Sequence, residues 1–278
     1  MYVVGIVVNT GSINAAVYDV DSYKIVGRAE CGLSGEKSMA SLASELCKTL
    51  LSDMKIDASD VRYVGVATDE GFDICADIEK ELSIKTFGET LCNARALGEA
   101  YTSGDKSSLV MLSIGDGIKS SIIMDKRLFT KKGNGEDGFA HMVIAVDGLA
   151  CDCGTKGCFE AYVGERGVKN IAKEVGITEW QSITVKKLFA MSDDAAKKAQ
   201  KLYAEYLAVG LTNIINLFQP EELVIEGDFF AVGDALVKPT MDIVQKEQYT
   251  RFSPNQCKIR AAVDSPDVAL IGAALINR

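Results

Sequence analysis

The sequence predicts an α/β protein built as two similar halves, on three observations. YVVGIVVNTGSINAAVYDV (2–20) is two apolar runs around Asn9, Thr10, Gly11 and Ser12, the pattern of a β-hairpin. LVMLSIGDGIKSSIIMD (109–125) repeats that form one domain-length later: strand, glycine-containing turn, strand. Segments with helical spacing follow both hairpins.

The elements read in order as follows. KIVGRAE (24–30) is a third strand, and 38–52 is a helix with Leu42, Leu46 and Leu50 on one face. VRYVGVAT (61–68) is a buried strand, and 74–82 and 89–101 are helices. TSGDKSS (102–108) is small, polar and turn-rich, which marks a boundary. Residues 1–104 are therefore expected to form an N-terminal α/β domain and 105–278 a larger C-terminal one. Helices dominate from Glu160 to Phe218. Ser192 is the expected N-cap of the last of them, Asp193 and Asp194 suit its positive end, and Pro220 marks its stop. ELVIEGD (222–228) and CKIRAAV (257–263) are strands, and 235–246 is a helix. VALIGAALI (268–276) belongs to a last helix, 266–278, which can pack back on the first domain. Two such halves imply a cleft between them, where ligands commonly bind.

Composition narrows the class. Hydrophobic residues make up 47% and charged residues 25%, ordinary values for a soluble globular protein. A net charge of −9 argues against a general nucleic-acid binder, which needs a cationic face. MYVVGIVVNT lacks the basic lead of a signal peptide, and no apolar run reaches the length of a membrane span. Eight cysteines without such a signal fit reduced thiols in the cytoplasm.

Three of those cysteines cluster in HMVIAVDGLACDCGTKGCFE (141–160) with the chain's one histidine. His141, Cys151, Cys153 and Cys158 make a complete Cys₃His set for a tetrahedral, structural Zn²⁺. Gly154 and Gly157 let the backbone turn tightly around an ion. A redox or disulfide role is the alternative. Cys31, Cys47, Cys75, Cys92 and Cys257 sit among apolar neighbours and read as small buried hydrophobes. A zinc hydrolase or deaminase is disfavoured, because H-x-E and P-C-x-x-C are missing and the fourth ligand is already protein.

That stretch resembles the ROK family, which comprises bacterial sugar kinases and sugar-responsive repressors. The family pattern is a histidine, then ten residues on a Cys-x-Cys-Gly-x-x-Gly-Cys-x-Glu, which His141 and Cys151–Glu160 match. Weaker likenesses run through GIVVNTGSINAAVYD, NARALGEA (93–100), LSIGDGIKSSII, QPEELVIEGD and LIGAALI. The resemblance implies a two-domain actin-like, hexokinase-like ATPase fold with ribonuclease-H-like halves and a zinc-binding loop. It also implies a nucleotide at Gly11, Gly115, Gly117 and Gly227, and a sugar at Glu160, His141 and Asn93. Glu160 has a second reading, as a carboxylate at a helix N-terminus.

The sequence departs from the family's kinases at the positions that do chemistry. The acid that helps place the metal–nucleotide complex falls on Val7, which cannot support Mg²⁺. Asp116 puts a negative charge into the second phosphate turn. The base that accepts the sugar hydroxyl's proton falls on Leu91, counting back from Ala96-Leu97-Gly98-Glu99. A glutamate that touches sugar falls on Gly138, with Glu136 and Asp137 near but out of register. The expected function is therefore a sugar- or small-molecule-binding or regulatory protein that has largely lost phosphorylation, making ATP and Mg²⁺ doubtful cofactors. The alternative is an ATP-dependent sugar kinase with Glu89, Asp69 or Asp73 as base; the two aspartates also read as solvated turn residues. The family's repressors carry an N-terminal helix-turn-helix, whereas this chain opens on its hairpin, so direct DNA binding is not expected. A homodimer through 195–218 is, although ordinary core packing explains the same pattern.

Overall fold

The computed structural model describes residues 1–33, 37–69, 71–129, 138–252 and 256–277, so Glu136 and Asp137 lie outside the described residues. It divides into two compact units. The first comprises Met1–Lys106, Lys126–Leu128 and Val263–Arg278, and the second Ser107–Asp125 and Phe129–Ala262.

In the first unit β1 (Tyr2–Val8), β2 (Ser12–Asp19) and β3 (Lys24–Gly32) are antiparallel neighbours. β4 (Val61–Thr68) and β5 (Thr86–Glu89) continue the sheet in parallel, in the order β3-β2-β1-β4-β5. The apolar residues of β1 alternate between two cores because successive side chains point to opposite faces. Val4, Ile6 and Val8 pack with Ala43, Cys47 and Leu50 of α1 (Met39–Asp53). Val7 faces the other way, against Ala269, Leu270 and Ala273 of α9 (Pro266–Ala274). Burial on both faces explains why these strands read as near-continuous apolar runs.

α9 also packs on α3 (Leu91–Thr102) at backbone distance. A Cβ on Gly98 would run into the carbonyl oxygen of Val268, and one on Gly272 into that of Ala94. Two glycines thus let the helices approach more closely than any side chain permits. α3 begins later than its apolar pattern predicts. Glu89 ends β5, and Thr90 is the N-cap, its hydroxyl accepting from the Asn93 amide at 3.2 Å. The helical spacing of 89–101 holds only from Leu91 on, because the cap takes extended backbone.

The second unit repeats the strand plan. β6 (Leu109–Ile114) and β7 (Ile118–Met124) form an antiparallel hairpin. β9 (Glu222–Gly227) and β10 (Lys258–Ala261) add in parallel. The order β10-β9-β6-β7 matches β5-β4-β1-β2 of the first sheet, hairpin for hairpin and parallel strand for parallel strand. Val110, Leu112 and Ile114 face a core built around Phe159, with Val168 and Ile171 of α4 (Gly164–Glu174) and Leu207 and Leu211 of α6 (Asp194–Phe218). Asp193, not Ser192, caps α6. Its carboxylate accepts from the Ala196 amide at 2.9 Å, a charge-assisted bond that the helix's positive end favours over a hydroxyl. Gln219 ends the helix in the left-handed region, φ 43°, directly before Pro220. No helix among the described residues is long and apolar enough to cross a membrane.

Gly98→Val is expected to cost about 3 kcal/mol in urea unfolding, by forcing α3 and α9 apart. Gly32→Ala, where a Cβ meets nothing within 4 Å, should change stability by less than about 0.5 kcal/mol.

Candidate functional site

The structure gathers His141, Cys151, Cys153 and Cys158, their ligand atoms all within 4.8 Å of one another. The loop that carries them is held by backbone bonds. The Cys151 amide donates to the Thr155 carbonyl at 2.9 Å, and the Gly154 amide donates to the Cys151 carbonyl at 3.0 Å. Gly154 and Gly157 sit at φ +89° and +77°, and a Cβ on Gly157 would strike the Ala145 carbonyl. Cys151 Sγ lies 3.7 Å from His141 Nδ1, and Cys153 Sγ lies 3.6 Å from Cys158 Sγ. Tetrahedral zinc with bonds of about 2.3 Å to sulfur requires ligand separations of about 3.8 Å, so this donor set fits the ion. The Thr155 hydroxyl is 3.0 Å from Cys153 Sγ and 3.1 Å from Cys158 Sγ. Hydrogen bonding from Thr155 holds the exposed Cys153 thiol down at about 6, while burial pushes Cys151 up to about 11.

Glu160 leaves this loop on a single 3₁₀ turn (Phe159–Ala161) and reaches the β6–β7 turn. Its Oε2 accepts from the Ile118 amide at 3.1 Å, and a Cβ on Gly117 would meet that same oxygen at 2.7 Å. Gly117 is thus glycine because a carboxylate lies against it. Arg166 of α4 joins the two sides, 2.8 Å from Asp152 Oδ2 between the cysteines and 3.9 Å from Glu160 Oε1. Sequence reasoning missed Arg166. It lies six residues past Glu160, and no local pattern marks its partner Asp152.

Gly115 and Gly227 line a cavity of about 260 Å³ in the same unit. Its apolar wall is Val185, Tyr203, Leu207 and Phe229; burial pushes the Tyr203 phenol well up. Its polar lining includes three carboxylates, Asp116, Glu165 and Asp228. Gly227 is at φ +111°, where a Cβ would strike the Ile114 carbonyl, so chain packing alone demands glycine there. Gly115 is different, with nothing within 4 Å of an added Cβ. The turn is braced by neighbouring amides. The Gly115 amide donates to the Gly117 carbonyl at 3.0 Å, the Glu165 amide to the Gly115 carbonyl at 2.9 Å, and the Gly164 amide to the Tyr203 hydroxyl at 3.3 Å. An anion cradle needs such N–H groups turned outward.

Apart from Gly138, the other predicted residues lie in the first unit. Asn93 Nδ2 donates to Glu89 Oε2 at 2.8 Å, and the Thr90 amide donates to the same oxygen at 3.3 Å. Asp69 Oδ1 accepts from the Leu91 amide at 3.1 Å, so this aspartate supports the start of α3. Asp73 is exposed in the first turn of α2 (Asp73–Leu82). Leu91 packs against the cluster that buries Val7, Ala67 and Ala94. Gly11 has open space where a Cβ would stand, and Gly138 is exposed.

The family model described as ROK family matches residues 58–278. The chain belongs to the ROK family. Relatives include the xylose repressor of Bacillus subtilis, 25% identical over 183 residues, covering 65% of this chain and 47% of that protein. The glucokinase of Halalkalibacterium halodurans is 25% identical over 213 residues, covering 70% of this chain and 64% of that protein. The chain spans about half the length of the curated relatives it matches first. Among solved structures, the ROK hexokinase from Thermus thermophilus aligns at 20% identity with a TM-score of 0.83, covering 99% of this chain and 97% of that one. A ROK family glucokinase from Streptomyces griseus in complex with glucose and AMPPNP aligns at 19% identity and TM-score 0.63, covering 99% of both. The architecture is the mixed-sheet, actin-like ATPase fold of ROK sugar kinases. Because xylose repressors stand among the relatives, the expectation of no contact with nucleic acid gains no support from them.

Brief iodoacetamide treatment of metal-free protein at pH 7, read by peptide mass spectrometry, is expected to label Cys153. Cys47, Cys75 and Cys257 should stay unmodified, because burial pushes them to about 11, 11 and 12.

Proposed function

We propose that the chain binds a sugar or a related polyhydroxy molecule and has lost most of the phosphoryl transfer of its kinase relatives. The observation that carries this reading is the shared surroundings of Val7 and Leu91. Both positions hold acids in the family's kinases, and here both side chains join one apolar cluster with Ala16, Ala67 and Ala94. Across the sheet Val7 pairs with Ala67 on β4, and it is 5% exposed. An ionised carboxylate at position 7 would be desolvated in that cluster, at a cost of several kcal/mol. Val7 is buried in that cluster, and Leu91 is half-buried against it. The sugar-side ligands of the second unit in this reading are Glu160 and His141.

A second reading keeps the kinase activity, with Glu89 as base. One observation favours it: Asn93 and Thr90 both donate to Glu89 Oε2, which orients the carboxylate and leaves Oε1 open. A coupled assay over a panel of hexoses with Mg·ATP separates the two. The first reading expects turnover about 10²–10⁴-fold below that of a ROK glucokinase. Robust turnover that Glu89→Gln and Glu160→Ala both abolish would sink it.

In the same proposal Cys151, Cys153, Cys158 and His141 hold a structural Zn²⁺, which supplies a rigid four-ligand closure of the loop carrying Glu160. Purified protein should retain about one zinc per chain by mass spectrometry, and Cys158→Ser should lose it. The same variant should melt several degrees lower, while a sugar titration reads whether Glu160 has moved.

A further inference from the structure

Thr155 falls on a position that the family's cysteine pattern leaves open, yet its hydroxyl lies beside two of the four metal-binding side chains. Its Oγ1 is 3.0 Å from Cys153 Sγ and 3.1 Å from Cys158 Sγ, and those two sulfurs are 3.6 Å apart. The backbone fixes it there. The Thr155 carbonyl accepts from the Cys151 amide at 2.9 Å, and Lys156 pairs with Ala150 in an isolated β-bridge. Gly154 and Gly157 make the positive-φ bends on either side. Thr155 is β-branched, so its side chain has few rotamers by which to leave.

The four ligands divide by exposure. Cys151 and Cys158 are buried, while His141 and Cys153 are exposed. Thr155 therefore straps an exposed sulfur to a buried one. Which atom donates follows from charge. A metal-bound cysteine is a thiolate with no proton to give, so the hydroxyl is the donor, to one sulfur at a time. Three thiolates carry one more negative charge than Zn²⁺ cancels, and a donor to sulfur stabilises that excess. The Thr155 backbone amide also bonds the Cys153 sulfur. Any residue except proline supplies that bond, so the hydroxyl is what this sequence adds.

We propose that Thr155 is a positioning residue of the metal loop: its hydroxyl donates to the Cys153 and Cys158 thiolates and holds Cys153, the exposed sulfur, on the ion. The inference rests on the Zn²⁺ occupancy proposed above and concerns retention of the ion, not sugar chemistry.

Release of zinc from the loaded full chain to excess chelator, followed with a colorimetric indicator, tests it. Thr155→Val keeps the shape and removes the donor. It is expected to lose zinc about tenfold faster, the lower end of what outer-shell partners contribute. Thr155→Ser restores the donor and should return the rate to within about threefold of the unsubstituted chain. Cobalt-substituted protein gives a second readout. A hydrogen bond to a thiolate lowers the energy of its donor electrons. The sulfur-to-cobalt charge-transfer band should therefore move to longer wavelength in Thr155→Val and return in Thr155→Ser. A general loosening of the loop would speed release and leave the band in place. Unchanged release in Thr155→Val, faster release with an unmoved band, or failure of Thr155→Ser to restore both would overturn the proposal. A chain that takes up neither Zn²⁺ nor Co²⁺ would overturn it together with the proposed zinc site. A chain that holds zinc equally well with threonine or valine would remove this inference alone.

Discussion

β1 is buried on both faces, by α1 on one and α9 on the other, and much of the first unit follows from that constraint. A strand so enclosed has little room for an unpaired charge. Its outward-alternating residues must be apolar on both sides, and α9 can reach them only where glycines admit a helix backbone. The cluster that results takes in Val7 and Leu91 together. An acid at either position would have to be solvated or paired. At position 7, which is 5% exposed, the packing of α9 leaves no solvation.

The second unit uses the same strand plan for a different purpose. There the hairpin turn is gripped from outside. Glu160 accepts from the Ile118 amide, Glu165 donates its amide to the Gly115 carbonyl, and Arg166 ties Glu160 toward Asp152 in the cysteine loop. The turn that resembles a phosphate-binding loop in sequence is therefore held by its own chain at Gly115 and Ile118. Its glycines answer to internal contacts at Gly117 and Gly227, and only Gly115 is left facing open space.

Much of this was legible in the residues. The two hairpins, the helices and the Cys₃His grouping rest on local patterns: period-two alternation, helical spacing and ligand spacing along one loop. Where a local pattern had rivals, it misled. Glu89 has helix-compatible neighbours yet ends a strand, because Thr90 supplies the cap and β4 offers Glu89 a pairing partner in Ala67. Ser192 and Asp193 are both capping residues by type, and the bond to Ala196 chose the carboxylate.

From composition and order alone came the α/β class, the repeated hairpin and the apolar identity of positions 7 and 91, since each depends on residues close in the chain. Folding was needed to bring Val7 and Leu91 into one cluster, to set Glu160 on the amide of Ile118, and to place Arg166 between Asp152 and Glu160. Those contacts join residues far apart in sequence or choose among equal local options. Such choices are made by distance and desolvation in three dimensions, which no spacing along the chain encodes.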